Sequence, residues 1–202
     1  MVALATPAAA QPAGETECDT DFLEIAPGIS ACGFSLSRTG AFSKDGDVLA
    51  DPLIAAYEDD GSAQKPIAAG QAILFPPSPS GRFRIVQACD GTGANALCWS
   101  VLLLDAEEEE FRKSLAGHYG PERWQSWGPE GRFVALTNSE EGARWLYMIE
   151  AESGESHAFP PFDLQENWTI DLQSLRWIKP GSLTVKVKTC ETCAVEDKML
   201  QF

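Results

Sequence analysis

A turn of proline, polar residues and glycine, followed at once by a strand-like run, recurs along this chain at an interval of fifty residues. The glycines are Gly81, Gly131 and Gly181, and the runs after them read RFRIVQA, RFVALT and SLTVKVK. Glycine supplies the backbone freedom a tight turn needs, and proline presets its first corner. Alternating or continuous apolar runs of this length, bounded by turn residues, are strand signals. Gly28, in IAPGISACGFSLS, is a fourth candidate origin, 53 residues before Gly81.

A second element accompanies the turns. It is an apolar strand ending in an acidic residue, then a polar turn, then another short strand. It occurs as LIAAYEDDGSAQKPIA from Leu53, VLLLDAEEEEFRKSLA from Val101 and WLYMIEAESGESHAF from Trp145. The stretch EEEEFRKSLA has helical propensity, but its place in the repeat predicts a hairpin with Glu107, Glu108, Glu109 and Glu110 as a solvated turn. The last unit, ending CAVEDKMLQF, lacks its final strand. Three or four short antiparallel strands in about fifty residues imply an all-β, propeller-like array, with a β-sandwich as the competing architecture.

Residues 127–131 read WGPEG, and the strand after them is followed by one that ends YMIE at Glu150. This pattern resembles the blades of TolB-like and WD-repeat-like β-propellers, in which W-S-P-D-G precedes an apolar strand and a further strand ends in Asp. Pro77 stands at the tryptophan position of the preceding unit, and Ile178-Lys179 fill the middle of the following one. The resemblance extends over most of residues 20–202 and implies a rigid β scaffold of about four units.

The chain has 30 acidic and 15 basic residues, for a formal charge of −15. Nucleic acid is disfavoured as a ligand, because phosphate neutralisation needs a basic face. An anionic membrane surface is disfavoured likewise. A cationic protein is the natural complement, with solubility alone as the plainer explanation of the charge. Residues 1–17 read as the remnant of a secretory signal or a flexible tail, because a short apolar run leads to small residues near Ala8. The rest, 18–202, reads as a single domain. No later apolar stretch approaches the ~20 residues of a membrane span. A periplasmic or secreted location follows.

The six cysteines fall in three local pairs, Cys18 with Cys32, Cys89 with Cys98 and Cys190 with Cys193. Cys89 ends one strand and Cys98 opens the next, which suits a disulfide across a hairpin. An oxidised pair closing the CETC turn is the preferred reading there. Structural zinc would require a second Cys/His pair, and thioredoxin-like chemistry would place the motif at a helix N-terminus.

Catalytic signals are weak. His118 and His157 are the only histidines, and no nucleophile-elbow, zinc-protease, Walker or dinucleotide motif occurs. Asp45, Asp47 and Asp51, and the run Glu58 to Asp60, offer calcium-type oxygens without EF-hand spacing. No catalytic residue, metal or cofactor is assigned. The expected partner surface comprises Glu107 to Glu110, at one rim with Glu58–Asp60 and Glu150–Glu155, together with Trp124 and Trp168 in polar connections. The remaining tryptophans are expected to wedge between units. The function this suggests is a non-catalytic exported module binding a basic protein, such as a periplasmic inhibitor or toxin-neutralising protein. The alternatives are a glycan or small-ligand binder using rim tryptophans, and a hydrolase with paired carboxylates.

Overall fold

The computed structural model describes residues 15–59, 61, 63–116, 123–140, 143–159 and 169–202. Seventeen strands follow one short helix among them. Helix α1 is Glu15–Thr20, and strand β1 is Leu23–Ile25. The next strands are short: β2 Phe34–Leu36, β3 Phe42–Lys44, β4 Asp47–Ala50, β5 Ile54–Asp59, β6 Gln64–Ala68 and β7 Gln71–Leu74. Longer ones follow: β8 Phe83–Cys89, β9 Cys98–Asp105 and β10 Glu110–Ala116. The chain continues through β11 Gln125–Trp127, β12 Phe133–Glu140, β13 Ala143–Glu150 and β14 Ser156–Ala158. It ends with β15 Thr169–Lys179, β16 Ser182–Lys188 and β17 Val195–Gln201.

The strands pair as small antiparallel sheets in the orders β1-β7-β8-β9-β10, β11-β12-β13-β14 and β15-β16-β17, with β2-β3-β4 and β5-β6 nearer the N-terminus. They form no closed barrel. The fifty-residue recurrence is therefore a recurrence of meanders. In the first, Ser78 N–H donates to Phe83 O at 2.7 Å and Gly81 N–H to Ser78 O at 2.8 Å. In the second, Gly128 and Gly131 make the same two bonds, at 2.8 and 2.9 Å. Gly81, Gly131 and Gly181 have φ of +79°, +68° and +67°, the left-handed region that a side chain disfavours.

Alternation along each strand sends successive side chains to opposite faces. In the five-stranded sheet one set, including Ile73, Ile85, Val101 and Leu103, packs against Val134, Leu136 and Ile149 of the next sheet. The other set, including Ala72, Leu74, Val86, Leu102 and Leu104, packs against Phe34, Leu36, Phe42, Leu53 and Ala55. The β11–β14 sheet in turn sends Ala135, Leu146 and Met148 against Leu183, Val185 and Val187 of the last sheet. The sheets thus stack face on face, and all seven residues of β8 are buried. A two-layer sandwich would leave one face of each sheet in solvent, whereas here the five-stranded sheet and the β11–β14 sheet each pack on both faces.

The N-terminal unit departs from the expected meander. Gly28 turns a two-residue bridge between Ala26 and Ile29, β1 joins the edge of the five-stranded sheet through β7, and the following strands split into two sheets. Gly28, Gly33, Gly40 and Gly46 all lie at positive φ, which ends each strand within three or four residues. Cys18–Cys32, Cys89–Cys98 and Cys190–Cys193 are all bonded. Cys89 stands directly across the β8–β9 ladder from Cys98. Three disulfides suit an oxidising compartment.

Candidate functional site

Where β9 turns into β10, the apolar strand ends at Asp105, opposite Phe83. The Asp105 side chain is fully buried. Arg82 grips it as a fork, Nε to Oδ1 at 3.1 Å and Nη2 to Oδ2 at 2.8 Å. Arg112 Nη2 reaches the same Oδ2 at 2.6 Å. The backbone N–H groups of Glu107 and Glu108 donate to Oδ1 at 3.1 and 3.3 Å. Burial alone would raise the Asp105 pKa. The Arg82 hydrogen bond, the two backbone donors and the Arg82 charge together outweigh it and bring the pKa down to about 2. Fork geometry of this kind is the strongest form of side-chain ion pairing.

The next unit repeats the device. Glu150 ends β13 opposite Phe133, and Arg132 bonds it through Nε at 2.8 Å. Ser153 Oγ donates to its other oxygen at 2.7 Å, and with Arg132 holds the Glu150 carboxyl below its ordinary pKa. In both units the guanidinium also lies over the following phenylalanine, 4.7 Å from the Phe83 centroid and 5.3 Å from that of Phe133.

The two turns meet. Arg82 Nη1 bonds Glu152 at 3.1 Å and Arg112 Nη1 donates to the Glu152 carbonyl at 2.7 Å. Arg82 also lies 3.5 Å from Glu107. Between the turns is an open cleft of about 430 Å³ lined by Ser80, Arg82, Phe83, Glu107, Glu130, Gly131, Arg132 and Glu152. The structure therefore brings Glu107 to Glu110 and Glu150 to Glu155 to one edge; Glu107 to Glu109 lie in the solvated turn and the exposed Glu110 opens β10. Glu58 and Asp59 are exposed at the end of β5, and Asp60 lies outside the described residues.

The aromatic half of the expected surface fares differently. Trp124 is half-buried and packs against the core between the last two sheets, a cluster that includes Leu175 and Met148. Its polar neighbours in the sequence conceal that apolar contact. Trp168 and His118 lie outside the described residues. Trp127 packs into the core between the middle sheets, and Trp177 Nε1 donates to Ser126 Oγ at 3.0 Å, bridging consecutive units. All five described tryptophans are partly buried. His157 packs edge-on to Phe159, with 4.8 Å between ring centroids.

Chemically the edge presents exposed acidic turns around two carboxylates, Asp105 and Glu150, whose hydrogen-bond partners favour the ionised form. Asp105, with its lowered pKa, is unsuited to donate a proton near neutrality. No group of three or more His, Cys, Asp or Glu poised for a metal ion occurs among the described residues. The arginines went unremarked in the sequence, although the recurring RF after glycine and the acid ending the next strand mark both partners.

No family model matches the chain, and no curated protein does. Among solved structures, the chain is similar to hydrazine synthase of Kuenenia stuttgartiensis, with 12% identity over 79% of this chain and a TM-score of 0.32. The match spans 56% of that protein's chain.

Proposed function

We propose that this protein is a non-catalytic, exported interaction module that binds a basic protein through its acidic edge, in the manner of a periplasmic inhibitor or neutralising protein. The observation that carries this reading is the meeting of two acidic turns from consecutive units at one edge, joined through Arg82 and Glu152. Glu107, Glu110 and Glu152 remain more than half exposed although paired. Their field therefore reaches solvent, and a rigid array of stacked sheets holds it in place. Such a field steers an oppositely charged partner and raises the association rate.

The test is capture from periplasmic extract or culture fluid on immobilised protein, compared with a variant carrying Gln at positions 107 to 110. A basic protein retained at low salt, released at high salt and lost with the variant supports the reading. Retention indifferent to both salt and substitution defeats it.

A further inference from the structure

We propose that the outer face of the last sheet seats on the N-terminal sheets of a second copy, making a head-to-tail contact between copies of this chain. The inference starts from the stack. Every sheet interface in it is an apolar layer, and the β15–β16–β17 sheet uses Leu183, Val185 and Val187 for its inner one. Residues between these point the other way. Cross-strand pairing puts Arg176, Thr184 and Met199 on that outer face in one row, and Asp171, Lys186 and Asp197 in the next. Lys188 and Val195 form a further pair. No described element covers this face: Met199 is 67% exposed and Val195 63%. A stacked array needs polar end faces to stay apart, and exposed apolar groups at an end invite another layer.

The other end of the stack has the complementary character. Val48 and Tyr57 are exposed there, at 61% and 60%. Around them Asp45, Asp47, Asp51, Glu58 and Asp59 are exposed, against Arg38 and Lys65. The last sheet reverses the balance of the chain. Residues 169–202 hold five cations and four anions within a protein of formal charge −15. A partly apolar face with a slight cationic excess at one end and an acidic, partly apolar surface at the other favour a heterologous contact over one between two acidic ends, which would repel.

The experiment is a charge swap read by sedimentation equilibrium. One variant carries Lys186→Glu and Lys188→Glu, the other Asp47→Lys and Glu58→Lys. Lys186, Asp47 and Glu58 are exposed and Lys188 is half-buried at the sheet face, so circular dichroism and the thermal midpoint are expected to stay close to the wild type. The wild-type protein self-associates at low salt and dissociates as salt rises. Each variant alone associates at least about tenfold more weakly, because like charges then face each other. An equimolar mixture of the two recovers association, because every head-to-tail contact in it again joins unlike charges. A wild-type protein that stays monomeric at every concentration overturns the proposal. So does association that survives either reversal, or a mixture that stays dissociated while both variants remain folded.

Discussion

Replacing Asp105 by Asn tests the central ion network. The substitution keeps the shape, removes the charge and turns an amide N–H₂ toward guanidinium donors. The carboxylate is fully buried, whereas Arg82 and Arg112 keep 23% and 21% of their side-chain surface in solvent. Breaking a wholly buried pair costs ~3–5 kcal/mol, and partial rehydration of the two arginines lowers that figure here. An independent route uses the pKa. A fall from 3.8 to about 2 corresponds to roughly 2 kcal/mol of preferential binding of the ionised form in the folded state. With a urea dependence of roughly 2 kcal/mol/M, Asp105→Asn lowers the denaturation midpoint by about 1 M near neutral pH. The folded pKa lies below the unfolded one. The contribution of ionised Asp105 is thus fully present above about pH 4 and is lost as pH falls through about 2. The gap between wild type and variant is flat from neutrality to about pH 5 and closes over the two units below pH 4. An unchanged midpoint at neutral pH, or a gap that persists unaltered at the acid end, refutes the assignment.

Other perturbations read the repeat and its edge. A Cβ at Gly181 meets Phe133 Cζ at 3.1 Å and one at Gly131 meets Pro79 Cδ at 3.3 Å, whereas one at Gly81 meets nothing within 4 Å. Alanine at all three positions pays the positive-φ penalty of ~1 kcal/mol, and thermal melts are expected to show larger losses at 181 and 131 than at 81. Gln at positions 107 to 110 leaves the thermal midpoint nearly unchanged, since exposed pairs contribute ~0–1 kcal/mol, while stopped-flow association with a basic partner slows at low salt. Non-reducing peptide mapping is expected to return the three local disulfides. Removing Cys89–Cys98 by paired substitution costs ~2–4 kcal/mol, more than removing the three-residue Cys190–Cys193 link.

The features legible in the sequence were local ones. A glycine turn, the strand after it and a cysteine pair across one hairpin are short-range statements, and Gly131, β12 and Cys89–Cys98 bear them out. The β9–β10 hairpin required more. EFRKSLA favours a helix by propensity, yet Phe111 packs against the core beside Phe42 and pairs with Leu104, so tertiary contact overrides local preference. Less was visible where partners are distant. Arg82 meets Asp105 across 23 residues and Glu152 across 70, and nothing in a linear pattern joins such groups. The apolar contact of Trp124 is hidden for a related reason, because polar neighbours in sequence do not reveal an apolar neighbour in space. The N-terminal unit escaped because Gly28 resembles its counterparts while the glycines after it fragment the strands.

Burial of both faces of β8 has a consequence for pairing fidelity. In a half-buried sheet, a one-residue slip drives apolar side chains into water, and solvent itself penalises the error. In β8 the same slip exchanges Ile85 for Val86 between two cores that are both apolar, so hydrophobicity discriminates poorly between registers. Discrimination falls instead to polar positions, the buried Arg84 and Gln87 within β8 and the two ends of the β8–β9 ladder. Cys89 meets Cys98 at one end, while at the other Arg82 reaches the acid that faces Phe83. A slipped hairpin misaligns the thiols and strands Asp105 as a buried charge without its guanidinium. These two polar markers act as a proofreading pair, and in the next sheet Arg132 with Glu150 marks the corresponding end.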